Sequence, residues 1–236
     1  MLKVLRSRNT TSHRLELNSD YESFITTVLS QFHTKGESME RHVVFLDLPK
    51  TRVYLRPVEK GDIPFFVKAI NDEEVSRFLL TAGPVTELEE EHWYESIEKR
   101  KDNNRVCSIV LKETHEVIGI IGLHQIDWIS RTATTGTFIG RKDLWGKGFG
   151  TEAKMLLLKY AFFRLNLRQI YSYALAFNKR SIKYSLKCGY KKLGVYPSDT
   201  FRDGKYHDTV SLMVTRKNWK PLWSKFEKKM KGKRNV

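Results

Sequence analysis

Three glycines alternate with other residues in the segment 145–152, and a strongly apolar helical pattern follows this segment at once. Glycine lets the backbone take positive φ values and approach a ligand closely. The N-terminus of the following helix presents unpaired N–H groups and a partial positive charge. This segment, the glycine loop, therefore predicts a binding site for a phosphate group.

Two common glycine-rich phosphate sites do not fit the sequence. A dinucleotide-binding fold has its glycine turn in the first βα unit and an acidic residue about 20 positions later, at the end of the next strand. Here the loop comes late in the chain, and the next predicted strand, 169–175, runs into Leu-Ala-Phe without an acid. A P-loop is excluded because no Gly-Lys-Ser/Thr follows four intervening residues.

The segments around the glycine loop alternate between strand and helix patterns. Strands are predicted at 53–57, 106–111, 117–123, 133–140, 169–175, 190–196 and 205–215. Helices are predicted after 61–62, from the capping box at 86–89 to 100, from 153 to 165, and from Asn178 to the stop at Gly189. This order predicts a mixed α/β (α+β) fold, with one sheet and helices on both faces.

Positive charge is concentrated at the C-terminal end. The net charge is +15, and residues 216–236 contain nine Lys or Arg against one acid, Glu227. Such a run is typical of a solvated, partly disordered segment. The alternative is an electrostatic contact with RNA, the ribosome or an anionic membrane.

The chain divides by pattern into three parts. Residues 1–50 form an N-terminal extension with a predicted helix at 21–32, residues 51–217 the main domain, and residues 218–236 a basic tail. No stretch approaches the roughly 20 apolar residues of a membrane span. The two cysteines, Cys107 and Cys188, have no metal-type spacing, so we expect no metal and a reducing, cytoplasmic setting.

Several motifs, in order, resemble the GNAT N-acetyltransferases. The segment 139–153, which contains the glycine loop, is similar to the acetyl-CoA motif of that family. Segments 52–57, 160–167, 178–190 and 201–206 resemble its ribosomal-protein and polyamine acetyltransferase branch. The resemblance covers roughly 51–217 and implies a mostly antiparallel mixed sheet. It also implies transfer of acetyl from acetyl-CoA to a primary amine, by direct attack in a ternary complex.

The resemblance also implies roles for individual residues. Backbone groups of Phe138, Ile139 and Gly140 are expected to pair with the pantetheine arm, and Asn178 to face that arm. Tyr184 stands where the family has the general acid that protonates the departing CoA thiolate. The backbone amides expected to cradle the pyrophosphate are those of Gly146, Lys147, Gly148, Phe149, Gly150 and Thr151.

Two positions depart from the family pattern. Trp145 stands where the loop often begins with Arg or Gln, and Thr134 stands where many relatives have a Glu near the acceptor amine. The general base is therefore open, with His124, Asp127 or a water relay as candidates. Cys188, four residues after Tyr184, is either a core residue or an acyl carrier.

The acceptor amine is also open. Protein N-termini, including those of ribosomal proteins, come first, because the resemblance spans that branch and a basic tail suits a ribosome-associated enzyme. Polyamines and aminoglycosides are alternatives that require an acidic pocket, which the glutamates in 87–91 can supply. The alternative from another class is a non-catalytic acyl-CoA- or RNA-binding module.

Overall fold

The structure, a computed structural model, describes residues 44–79 and 83–231. The predicted helix at 21–32 lies outside these described residues. A seven-stranded sheet has the order β1-β2-β3-β4-β5-β7-β6. Its strands are β1 Val53–Pro57, β2 Arg105–Leu111, β3 Val117–Asp127, β4 Thr132–Ile139, β5 Gln169–Leu175, β6 Lys191–Arg202 and β7 Lys205–Thr215.

Every neighbouring pair of strands is antiparallel except β4 and β5, which run parallel. The parallel pair is joined only from Thr132 opposite Gln169 to Thr134 opposite Tyr171. Beyond that point both strands continue without pairing to each other. The sheet therefore opens in its middle, and the unpaired ends of β4 and β5 form two walls of a cleft.

Helices cover both faces of the sheet, as predicted. They are α1 Ile63–Ile70, α2 Glu73–Ser76, α3 Glu87–Lys99, α4 Phe149–Lys159, α5 Lys179–Lys187 and α6 Arg216–Lys231. α1 and α3 pack on one face through Phe66, Ile70 and Trp93. α4 and α6 belong to the larger core on the other face, and α5 packs against that core. α4 ends in a wider π-helical turn, Tyr160–Arg164.

Local signals placed most elements correctly. The capping box is present, because Thr86 accepts from the Glu89 N–H and the Glu89 side chain accepts from the Thr86 N–H. Asn178 caps α5, and Gly189 ends it with a φ of 91°. The helical spacing of Ile182 and Leu186 predicts that both side chains face inward, but Leu186 is 47% exposed and the neighbouring Ser185 is buried.

The C-terminal segment differs from the prediction. The prediction of a solvated, partly disordered tail is wrong for the residues up to Lys231, because α6 runs from Arg216 to Lys231. Trp219 and Trp223 are buried, and their rings stack at 5.2 Å. Phe226 and Met230 follow the two tryptophans at helical spacing, and all four side chains pack into the larger core. A domain boundary at 217/218 therefore does not hold.

Candidate active site

A cavity of about 400 Å³ lies where β4 and β5 part. The cavity is lined by the end of β4, the glycine loop, the end of β5, α5 and the segment from Val75 to Leu79. The predicted site residues that line it are Phe138, Ile139, Gly146, Gly148, Phe149, Gly150, Thr151, Asn178 and Tyr184. The topology thus brings together predicted site residues that lie up to 46 positions apart in the sequence, from Phe138 to Tyr184.

Two predicted site residues do not line the cavity. The N–H of Gly140 donates to the carbonyl of Ile118 at 2.9 Å, so this amide is used by the sheet. The backbone N–H of Lys147 donates to Leu144 O, and its carbonyl accepts from Arg52. The pairing of backbone groups of Gly140 with the pantetheine arm stays a prediction.

The glycine loop has the geometry of an anion cradle. Gly146 and Gly148 have φ values of 75° and 94°, which favour glycine. α4 begins at Phe149, and the N–H groups of Gly146, Gly148, Phe149 and Gly150 have no acceptor among the described residues. Because such groups need a partner, the loop can donate several hydrogen bonds to a bound phosphate.

The glycine loop is held by a residue pair that the sequence did not predict, Arg52 and Glu152. The Arg52 guanidinium donates to the Glu152 carboxylate at 2.6 and 2.8 Å, and to the carbonyl of Lys147 at 2.9 Å. It also lies over the Phe149 ring, 4.0 Å from the centroid. Glu152, the one acidic residue of α4, was the available signal for this pairing.

Trp145, which departs from the family pattern, also has a structural role. Its indole N–H donates to the carbonyl of Ile139 at 2.7 Å, which connects the loop to the end of β4. The Arg180 guanidinium lies 3.7 Å from the centroid of the Trp145 ring and 4.9 Å from that of Phe78. Burial lowers the pKa of Arg180, but an arginine remains charged at physiological pH.

The electrostatics of the cavity are positive. Its charged lining side chains are Arg180, Lys183 and Lys187, and no carboxylate lines it among the described residues. The glutamates of 87–91 lie elsewhere: Glu89 belongs to the capping box of α3, and Glu91 pairs with Lys60 at 2.9 Å. The described lining therefore suits an anion such as CoA and contains no acidic wall of the kind expected for a polycation.

Tyr184 faces the cavity from α5, and its hydroxyl has no hydrogen-bond partner among the described residues. Asn178 lines the same wall while its side-chain oxygen accepts from the Ser181 N–H at 3.0 Å. The phenol is therefore available to a bound molecule, and the cap residue fixes the start of the helix that carries it.

The candidates for a general base lie outside this cavity. His124 packs its ring close to Gly122 and Gly136 within the sheet, and its pKa is lowered by burial and then by the charges of Lys154 and Arg100. The carboxylate of Asp127 accepts from the N–H groups of Ile129 and Ser130 and so closes the β3–β4 turn. Neither side chain lines the cavity.

Cys188 does not fit the role of an acyl carrier. Its thiol is fully buried, and burial raises its pKa to about 12. The thiolate is the nucleophilic form of cysteine, so a thiol with this pKa is inert at physiological pH. Cys188 is a core residue of the α5 end.

Comparison with known proteins identifies the family. The model of the acetyltransferase (GNAT) domain matches residues 52–191, which is more than half of the chain. The chain belongs to this family. It is therefore an acetyl-CoA-dependent N-acetyltransferase, and the glycine loop, the free amides and the cationic lining fit CoA as the anion.

Individual relatives show the same membership. An uncharacterized N-acetyltransferase, p20 of Bacillus licheniformis, is 29% identical over 172 residues, 71% of this chain and 95% of that protein. A putative ribosomal N-acetyltransferase, YdaF of Bacillus subtilis, is 31% identical over 101 residues, 43% of this chain and 55% of that protein.

A solved structure shares the fold. Spermidine N-acetyltransferase from Vibrio cholerae, in complex with CoA and spermine, superposes with a TM-score of 0.66 at 24% identity, covering 71% of this chain and 98% of that one. Within 44–79 and 83–231, no helix is long and apolar enough to cross a membrane. The same residues contain no group of three or more His, Cys, Asp or Glu placed to hold a metal ion.

Proposed function

We propose that this acetyltransferase acts on the α-amino group of a protein or peptide N-terminus. The observation that carries this proposal is the charge of the cavity, whose described lining contains three cationic side chains and no carboxylate. Such a site offers neither a counter-charge for a polycation nor a carboxylate base for an amine of high pKa.

The intrinsic pKa of the acceptor then decides its reactivity. An α-amino group has a pKa of about 7.7–8.0, whereas an alkylamine such as a lysine side chain has a pKa of about 10.4. At neutral pH the neutral, nucleophilic form is thus about two orders of magnitude more abundant for the α-amine. An enzyme without a carboxylate base beside the acceptor therefore favours α-amines, which lose their proton to water.

The uncharged part of the lining supports the same choice. It includes Val75, Phe78, Leu79, Tyr173 and Thr209. Apolar and aromatic walls suit the first side chains of a peptide, whereas a polyamine would leave several charges without partners. Polyamines remain the second candidate, because the fold is shared with a spermidine N-acetyltransferase.

The predicted site residues that line the cavity each have a proposed task. The free amides of Gly146, Gly148, Phe149 and Gly150 hold the pyrophosphate, while Thr151 and Asn178 line the path of the pantetheine arm beside Phe138 and Ile139. Acetyl-CoA supplies the acetyl group as a thioester. Tyr184 donates its phenolic proton to the departing sulfur, because its hydroxyl faces the cavity without a protein partner among the described residues.

The ribosome is the proposed partner of α6. This helix exposes seven basic residues against one acid, Glu227, while its tryptophans face the core. Exposed cations on a rigid helix suit the phosphates of RNA. A ribosomal partner implies a cytoplasmic enzyme, and the unpaired cysteines agree with that setting.

Because α6 is part of the core, the test of RNA contact is a charge change rather than a deletion. The variant replaces four exposed lysines with glutamine: Lys217, Lys220, Lys225 and Lys228. Ribosome binding is expected to weaken and to lose part of its salt dependence, with unchanged acetylation of a free peptide. Equal ribosome binding by the variant and the parent protein would contradict this partner.

The acceptor is tested with a matched panel at pH 7.5. It contains a peptide with a free α-amine, the same peptide with its α-amine blocked and an internal lysine, and spermidine. We expect kcat/KM for the free peptide to exceed both others by about two orders of magnitude, as the amine pKa values require. A spermidine kcat/KM equal to that of the free peptide would overturn the proposal.

A further inference from the structure

A lysine is buried completely beside the proposed proton donor. Lys154 lies in the second turn of α4, and its side chain has no exposed surface. Its ammonium donates to the hydroxyl of Thr135 at 2.8 Å, and no carboxylate of the described residues pairs with it. Burying a charge without a counter-charge is costly, so a leucine or methionine would stabilise this position better.

The ammonium lies over the rings of two tyrosines. Its Nζ atom is 5.5 Å from the ring centroid of Tyr184 and 5.6 Å from that of Tyr190. The Thr135 hydroxyl is also 3.0 Å from the hydroxyl of Tyr190 and donates to the carbonyl of Tyr171 at 3.2 Å. Thr135 thus fixes Lys154 where its charge faces the π-surface of Tyr184.

Three other titratable groups near the Lys154 ammonium, Cys188, Tyr190 and His124, stay uncharged and do not pair with it. Cys188, at the end of α5, keeps its proton because burial raises its pKa to about 12. Burial raises the pKa of Tyr190 well above its usual value as well. His124 of β3 stays neutral, since burial and then the Lys154 charge lower its pKa. Of the tyrosines beside Lys154, only Tyr184 lines the cavity.

We propose that Lys154 is a positioning residue for the acetyl-transfer step, whose ammonium stabilises the phenolate that Tyr184 forms when it donates its proton. In this step the O–H bond of Tyr184 breaks, and an S–H bond forms on the departing CoA sulfur. The phenolate then takes up, through water, the proton that the attacking amine releases. Lys154 itself gains and loses no proton. This proposal rests on the proposed role of Tyr184.

The decisive variant is Lys154→Met, which keeps the length of the side chain and removes the charge. We expect an unchanged or higher Tm, a kcat at least tenfold lower, and an acetyl-CoA Kd within twofold of the parent. A fall in kcat without a matching change in Kd separates a role in the transfer step from a loss of cofactor binding.

The control is Lys159→Met on the same helix. The Lys159 ammonium also lies over an aromatic ring, that of Trp223 at 5.5 Å, but Lys159 does not line the cavity. We expect kcat and the acetyl-CoA Kd to be unchanged in this variant. Lys154→Gln is the second test, because its amide can still donate to Thr135 while the charge is absent. It should show the same fall in kcat as Lys154→Met.

A kcat retained in both Lys154 variants overturns the proposal, as does a fall in kcat that only follows a fall in Tm. The double variant with Tyr184→Phe separates this inference from the proposed function. If Tyr184→Phe lowers kcat and Lys154→Met lowers it no further in that background, the two residues act in one step. If Tyr184→Phe leaves kcat unchanged, the role of Tyr184 fails, and the proposed role of Lys154 fails with it.

Discussion

Arg52 and Glu152 form an ion pair that joins the start of the sheet to the first turn of α4, with 2.6 Å between Nη2 and Oε1. The same guanidinium group holds the carbonyl of Lys147 inside the glycine loop. The loop is thus connected to β1 by a side chain 95 positions away. This connection holds the glycine loop to the first strand and limits the movement of its amides.

Arg52→Ala is expected to weaken acetyl-CoA binding more than it slows chemistry. Without the guanidinium the loop carbonyl loses its donor, so the amides have to be ordered by the ligand itself. We expect the KM for acetyl-CoA to rise by about tenfold, equivalent to about 1.4 kcal/mol, with kcat within threefold. The control is Lys101→Ala, which removes an exposed cation paired with Glu98. A KM equal in Arg52→Ala and the control would contradict the bracing role.

Gly148→Ala tests the backbone of the loop itself. A φ of 94° is strained for any residue with a Cβ atom, and that atom would also lie 3.3 Å from Arg52 Nη2. We expect a five- to thirtyfold higher Kd for CoA by calorimetry, which corresponds to about 1–2 kcal/mol of strain. Gly61→Ala is the matched control, since nothing lies within 4 Å of its Cβ position. Identical affinities in the two variants would show that the loop does not bind CoA.

The buried ion pair between Arg56 and Asp62 makes the free energy of unfolding depend on pH in the acid range. Burial acts to raise the pKa of Asp62, but hydrogen bonds from Arg56, the Glu59 N–H and Ser108 outweigh it and hold that pKa below its usual 3.8. The stabilisation is therefore present above pH 4 and is lost as the pH falls through the lower pKa of the folded state.

Asp62→Asn is expected to destabilise the protein at pH 7 by about 3–5 kcal/mol, because the buried Arg56 loses its counter-charge. Denaturant titrations from pH 7 to pH 2.5 should show a weaker loss of stability below pH 4 than in the parent. Asp143→Asn, in an exposed pair with Arg141, should cost no more than about 1 kcal/mol. An acid dependence equal to that of the parent would rule out Asp62 as its source.

Much of the architecture followed from local signals. Strand alternation, the capping box at Thr86 and the glycine stop at Gly189 are set by neighbouring residues, so they were readable in sequence. Helix orientation was harder, because the inward side chain of α5 is a serine and its leucine, Leu186, is half exposed. The roles of the loop residues followed from the family resemblance, since their spacing alone indicates only an anion.

Other features depend on contacts between distant segments. The pairing of Arg52 with Glu152 and the placement of Lys154 against Tyr184 join residues that no local pattern relates. The basic tail was misjudged because its charge outweighed a four-residue apolar stripe that only a packed core makes stable. In each case the tertiary structure, and not the local sequence, determines which residues are in contact.

Trp219→Ala is expected to show that α6 belongs to the core. The indole is fully buried and packs against Phe162 and Trp223 at 5.2 Å. Its loss should lower the free energy of unfolding by about 3–5 kcal/mol in urea titrations. Lys225→Ala, at an exposed position of the same helix, should change it by less than about 0.5 kcal/mol. Equal stabilities would mean that α6 is a dispensable appendage.

The proposed acetyl transfer takes place in the cleft between β4 and β5 with Tyr184 as the proton donor. Its most direct test is Tyr184→Phe, which removes the hydroxyl and keeps the ring, measured as kcat for a saturating peptide together with Kd for acetyl-CoA. General acid catalysis contributes about 10²–10⁴-fold to the rate, so kcat should fall by at least a hundredfold with Kd within twofold. A Tyr184→Phe enzyme with the kcat of the parent would contradict the claim.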